Sequence, residues 1–260
     1  IFKFFSSFLK MSETMFIVYK MKKFLINIEN FKRNSKFFDK TREFFDEYIM
    51  LPEPYGDVLE ITDTTFGTFL FIVHCNMSEF TEEELDEKCK IDTNNVLQLN
   101  YLAKTFEVPY LIEKTSEFMH KNQEDVLNIM FKIKPVDWNF QLEKFIVDIL
   151  HTIIDDKRLL TLSISMLHRI IDKFMEKNGL LYVKDIIDFF FKCLNHYGID
   201  ASPLCRQIPI SIYEDQFLYT LTNEYKDLFD LDFLSSDHVL YMANKLQRLQ
   251  AELNSIRSTQ

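Results

Sequence analysis

The sequence predicts a mainly helical protein with an α+β beginning, a small mixed domain leading into a bundle of helices. Three observations carry that expectation. Glycine is scarce, with 4 among 260 residues against 6 prolines, where an average composition of about 7% would give roughly 18 glycines. From Asn94 onward, apolar residues recur at spacings of three and four, the period of a helix. Before that point, short β-branched and aromatic runs broken by Pro54 and Gly56 read as strands. The glycine count also argues against whole classes of function, because Rossmann folds, P-loops and kinases cradle phosphate on glycine-rich loops. With 47% hydrophobic residues, the chain holds ample material for a core and is no disordered polymer.

The elements follow in chain order. The opening IFKFFSSFLK is apolar, but Lys3 and Lys10 and the lack of a small-residue cleavage site argue against a signal peptide. Met11 is a candidate start, and residues 1–14 are set apart as an uncertain N-terminal extension. Met15–Tyr19 and Phe24–Ile28 read as short strands, or as a strand leading into a helix, and Asp57–Ile61 as a further strand. Thr64–Cys75, apolar and aromatic, reads as helix. Glu82–Lys90 is a charge run with no apolar face, expected as a solvated loop or insertion.

Helical stripes then succeed one another. Val96, Leu99, Ala103 and Phe106 form the first, and Leu111, Thr115, Phe118 and Met119 follow Pro109. Val126, Leu127, Met130 and Ile133 form a third, stopped before Pro135. Leu142, Phe145, Ile146, Ile149, Leu150, Ile153 and Ile154 make a stripe so wide that Phe145, Ile149 and Ile153 are expected to be fully buried. Leu167, Ile170, Ile171 and Phe174 come next, capped by Ser163 or Ser165 and followed by Gly179. Val183, Ile186, Ile187, Phe190, Leu194 and Tyr197 end at Gly198. Short connections favour antiparallel hairpins, and helical hairpins in series leave an all-helical solenoid scaffold as the alternative fold. At the C-terminus, Val239, Met242, Leu246, Leu249, Leu253 and Ile256 fall at spacings of three and four. That is the seam of a short coiled coil within a helix over 236–258, with Asp237 placed to cap it. The bland alternative is a last bundle helix packed on its own domain.

Charge is uneven. The net charge is −10, although residues 1–43 hold ten basic and four acidic residues. An acidic bulk argues against nucleic-acid binding, and the apolar runs are too short for a membrane span. The basic, aromatic start (Lys20, Lys22, Lys23, Lys32, Arg33 and Lys36 among Phe24, Phe31, Phe37 and Phe38) could serve RNA or a membrane surface. Yet phenylalanine is dense everywhere, at 27 residues, so a structural role is favoured. Four widely spaced cysteines (Cys75, Cys89, Cys193, Cys205) fit reduced thiols of an intracellular protein, cytoplasmic or nuclear.

No catalytic motif is found, neither Gly-x-Ser-x-Gly nor His-Glu-x-x-His nor Cys-x-x-Cys. No catalytic, cofactor or metal-binding residue is therefore assigned, and no enzyme activity. Cys193 and His196 lie three apart, with Cys205 as a possible third ligand, but zinc normally takes four and a core cysteine is the favoured reading. His74, Cys75 and Cys89 are weaker candidates. Asp155–Asp156, and Asp185 with Asp188, read as solvated helix edges rather than as an acid–base pair, which needs burial to tune it.

The stretch NNVLQLNYLAKTFEVPYLIEK (94–114), after FGTFLFIVHC at Phe66–Cys75, resembles the second half of a BTB (POZ) domain. Its helix, Pro109 turn and second helix match that family's pattern piece by piece. INIENFKRNSKFF at Ile26–Phe38 is similar to the family's first helix. VLNIMFKI and LLTLSISMLHRIIDKF resemble the BACK helical region that commonly follows. The resemblance implies a BTB-like domain over 15–122, a BACK-like helical domain over 123–234 and a terminal helix over 236–258. It implies a non-enzymatic interaction protein that forms homodimers through the BTB-like part, with Phe31, Phe37 and Phe38 near the pairing surface. It also implies service as an adaptor that recruits client proteins, of unknown identity, to a cullin-RING ubiquitin ligase. Phe71, Val73, Met77 and Glu79 would then lie at the cullin-facing turn. Here Val73, His74 and Cys75 stand where the family has Tyr-Thr-Gly, and Met77–Ser78–Glu79 fits a hydrophobic-x-Glu pattern of such adaptors.

Overall fold

The computed structural model describes residues 14–41, 48–52, 60–134, 138–208, 214–234 and 236–258, and at both ends of the last helix it describes the backbone alone. The chain divides into two compact units, Ile1–Leu142 and Glu143–Gln260. The division falls twenty residues beyond the boundary placed at 122/123 from the sequence.

The first unit opens with a hairpin. Strand β1 (Thr14–Tyr19) pairs antiparallel with β2 (Lys22–Asn27), from Thr14 opposite Asn27 to Tyr19 opposite Lys22. The two turn residues, Lys20 and Met21, both take positive φ, 46° and 65°. That turn suits the right-handed twist of a hairpin although neither residue is the usual Asn or Gly. Strand β3 (Tyr48–Met50) runs parallel to β1 on its other side, giving a mixed sheet of order β2-β1-β3. This sheet sets aside the all-helical solenoid. β3 itself is not among the strands expected from the sequence. The expected strand Asp57–Ile61 lies outside the described residues except for Glu60 and Ile61, which belong to no strand.

Helix α1 (Ile28–Asn34) follows β2 directly, because Asn27, the last residue of the ladder, is also the helix cap, its side chain accepting from Asn30 N at 3.0 Å. Short α2 (Phe37–Thr41) comes next, then α3 (Asp63–His74), started by Thr62 accepting from Thr65 N. Alternation sends Met15, Ile17 and Tyr19 to the inner face of the sheet, where all three are buried. On the same face Phe24 stacks on Phe66 of α3, ring centroids 3.9 Å apart. Phe31, Phe66, Phe69 and Phe106 are fully buried and meet edge-to-face or tilted, at 5.3 to 6.0 Å. Part of the phenylalanine excess is thus this core.

Glu82–Lys90, expected as a solvated loop, is instead helix α4 (Glu82–Cys89). A reciprocal capping box starts it, with Thr81 Oγ1 accepting from Glu84 N and the Glu84 carboxylate accepting from Thr81 N. Leu85 and Cys89, four residues apart, supply a narrow buried face. α5 (Val96–Thr105) and α6 (Pro109–Lys121) form a hairpin whose corner is Glu107, with φ of 48°. Val108 N donates to Ala103 O at 2.8 Å to close the end of α5, and Pro109 fills the first position of α6. α7 (Gln123–Met130) completes this unit, with Trp138 Nε1 donating to the carbonyls of Met130 and Ile133.

α8 (Phe140–Ile153) leads into the second unit, which continues with α9 (Ile164–Asn178), α10 (Val183–Tyr197), α11 (Glu214–Asn223) and α12 (Ser236–Ser258). The wide stripe is buried as expected, at Phe145, Ile149 and Ile153 alike. Of the two serines, Ser163 is the cap, accepting from Met166 N at 3.3 Å. Gly179 and Gly198 end their helices at φ of 58° and 61°. A 3-10 stretch, Gly198–Gln207, returns along α9 and α10 with Ala201, Leu204 and Cys205 buried. Glu143 is a buried carboxylate held by Lys173 Nζ at 2.8 Å and Arg169 Nη2 at 3.2 Å. α12 begins at Ser236, so Asp237 lies within its first turn rather than capping it.

Candidate interaction surfaces

The C-terminal end of α3 carries the first surface. Helix geometry turns Ile72 and Val73 inward, where both are fully buried, and leaves Phe71 half-exposed. After α3 the chain makes a 3-10 turn, Met77–Glu79, with Met77 half-exposed and Glu79 exposed. Asn76 Nδ2 donates to the Glu79 carboxylate at 2.8 Å, which fixes the acidic side chain on the turn. Phe80, next in the chain, meets Phe71 edge-on with centroids 5.9 Å apart. Lys88 of α4 reaches over both rings at 5.7 Å. The result is a patch of two half-exposed aromatic rings under one cation, flanked by a methionine and a carboxylate. Asn34 of α1 braces it from below, its amide donating to the carbonyls of Ile72 and Cys75 at 2.9 and 2.8 Å. Beside it, Lys114 bridges Glu82 and Asp86 of α4, and its pKa is raised first by the bond to Glu82.

The structure therefore brings Phe71, Met77 and Glu79 together, while Val73 faces the core behind them. Phe31 and Phe38 are likewise core residues, in edge contact with each other at 5.4 Å, and only Phe37 keeps partial exposure. Phe80 and Lys88 do not stand out in the sequence, because both fall outside the apolar runs. The Thr81–Glu84 capping pattern is the signal that α4 would present Lys88 in a fixed place.

A second surface is the outer face of the sheet. Phe16, Leu25, Tyr48 and Met50 are exposed, and the register sets Phe16 opposite both Leu25 and Tyr48, with Lys23 Nζ 5.7 Å from the Phe16 ring. The third is α12. Val239, Leu246 and Leu249 are 51%, 66% and 47% exposed and Met242 is partly so, while the side chains of Leu253 and Ile256 lie outside the described residues.

The thiol and histidine candidates do not converge. Cys193 and Cys205 are fully buried, and desolvation pushes both pKa values up to about 12. His196 lies exposed, its ring against Tyr197. Cys89 is also driven to about 12, chiefly by burial, and His74 is lowered by burial while its ring accepts from Asn27 N. Among the described residues, no three His, Cys, Asp or Glu side chains are grouped to hold a metal. Nor is any described helix long and apolar enough to cross a membrane.

In comparisons with known proteins, no family model matches the chain and no curated protein matches it. What fold and surfaces define is a class: an α+β unit with a three-stranded mixed sheet, followed by a helical unit.

Proposed function

We propose that this chain is a non-enzymatic protein–protein interaction module of BTB-like and BACK-like type. It self-associates through its first unit and acts inside the cell, in cytoplasm or nucleus, as an adaptor between client proteins and a cullin-RING ubiquitin ligase. The observation that carries the reading is the Phe71–Phe80 pair under Lys88, beside the turn that holds Met77 and Glu79. Aromatic residues and methionine are the types enriched at protein interfaces, and here Phe71 stands on the last turn of a braced helix with Met77 and Phe80 on the short turn that follows. The order of elements agrees: sheet, α3, then the α5–Pro109–α6 hairpin where the resemblance to BTB domains runs.

The test is direct binding of the full chain to a purified cullin N-terminal domain. Wild-type protein is expected to bind, and Phe71→Ser with Phe80→Ser to lose at least about tenfold in affinity, the effect of removing one interface anchor. A wild-type chain that ignores the cullin overturns the adaptor reading. Equal binding by the double variant overturns the placement of the surface.

A further inference from the structure

We infer that α12 pairs with α12 of a second copy of this chain, as a short two-stranded coiled coil. The inference stands on the second unit alone and needs neither the cullin nor the first unit. Three features point to this occupant.

Six apolar residues of α12, Val239, Met242, Leu246, Leu249, Leu253 and Ile256, alternate at spacings of three and four. With Val239, Leu246 and Leu253 as a positions and Met242, Leu249 and Ile256 as d positions, the repeat is 3.5 residues, the period at which two helices stay in contact. A helix lying on a globular core would show a broader stripe at 3.6. Where its side chains are described, the fold leaves that seam partly to largely exposed. Leu246, at its middle, is 66% exposed, and Val239 and Leu249 are about half exposed, whereas the leucines of α5 to α10 are all buried.

The flanking charges suit self-pairing. Lys245 and Glu252 take g positions, and Gln250 and Arg257 take e positions. In parallel pairing, Glu252 of one copy faces Arg257 of the other, and Lys245 faces Gln250. In antiparallel pairing, Lys245 of one copy faces Glu252 of the other. Neither orientation opposes like charges, so the helix is complementary to itself. The seam spans 18 residues, about 27 Å at a rise of roughly 1.5 Å per residue. That is enough for six layers and short enough that pairing will be weak alone.

The experiment is sedimentation equilibrium of the full chain from about 1 to 200 µM, a range suited to so short a coil. The variants are Leu246→Asp, on the seam, and Leu240→Asp, an exposed leucine on the same helix but off it. Both change exposed side chains, so both should keep the wild-type circular dichroism. Two buried leucines are lost per dimer in Leu246→Asp, so its Kd should rise at least about a hundredfold, while Leu240→Asp stays within about threefold of wild type. A wild-type chain that is monomeric throughout overturns the inference. So does Leu246→Asp with an unchanged Kd, or Leu240→Asp weakened as much as Leu246→Asp. Cullin binding plays no part in this readout, and self-association through the first unit would survive Leu246→Asp, so a Kd unchanged by that variant overturns the α12 seam while leaving the first-unit dimer standing.

Discussion

Phe106→Ala should cost the first unit about 4–5 kcal/mol, the upper part of the range for truncating a buried phenylalanine. The upper part applies because this site cannot close up. The Phe106 ring is fully buried, with the rings of Phe31, Phe37 and Phe69 at 5.5, 5.2 and 5.3 Å. Those three rings stand on α1, α2 and α3, so filling the void would require three helices to move. The backbone bonds at this point survive the change, since Ser35 Oγ donates to the Phe106 carbonyl rather than to the ring. The single tryptophan, Trp138, lies buried in the same unit against Phe131, so its fluorescence reports on this unit. With a urea slope of about 2 kcal/mol/M, the midpoint of the Trp138 transition should fall by about 2 M with the slope unchanged. Phe37→Ala removes a half-exposed ring from the same cluster and should shift the midpoint by about 0.5–1 M. A Phe106→Ala shift below about 0.5 M, or equal shifts for the two variants, would refute the view that this cluster is the rigid centre of the unit.

Three further outcomes follow from local geometry. Burial alone would raise the Glu143 pKa, but its hydrogen bonds from Lys173 and Arg169 outweigh that and hold the carboxyl below its usual 4.5. The pair's contribution is thus complete above that pH and is lost as acid titrates the folded-state group. Glu143→Gln should flatten the acid limb of the second unit's stability, followed by circular dichroism in urea, and cost about 1 kcal/mol near neutral pH; an unchanged acid limb counts against it. Alkylation of the native protein at mildly alkaline pH should modify Cys75 at most, because burial raises the other three thiols to about 12. Rapid labelling of two or more thiols would contradict the packing. Asn34→Ala strips its amide bonds from the end of α3 and should cost about 1–2 kcal/mol, read as a lower urea midpoint of the Trp138 transition.

What can be read from the sequence divides along physical lines. The helices from Asn94 to Gly198 are legible because each carries several apolar residues at one period, and α9 and α10 stop at Gly179 and Gly198 as expected. The first hairpin is legible as two runs, although its turn gives no sign, since Lys20 and Met21 are not turn formers. β3 is invisible because three residues carry no period; only its pairing with β1 makes it a strand. α4 misleads for the opposite reason. Its composition is almost all charge, and two buried residues with a capping box suffice to order it once α6 lies alongside to take Glu82 and Asp86 through Lys114.

The candidate surfaces follow the same division. Sequence reasoning reaches Phe71, Met77 and Glu79 through resemblance, but a run such as FLFIVH cannot tell the half-buried Phe71 from the fully buried Val73 until the helix phase is known. Phe31 and Phe38 fail in the same way, because aromatics inside a first helix serve a core or an interface with equal pattern. The outer sheet face needs the register, which is set by a turn without a signature. α12 is the exception. Its 3.5-residue repeat leaves a coiled-coil seam and a last bundle helix both open, and the exposure of Val239, Leu246 and Leu249 is what favours the seam. A period in the sequence can therefore point to an interface, but only when the interface is a regular element; patches assembled from a helix end, a turn and a neighbouring lysine have no period to read.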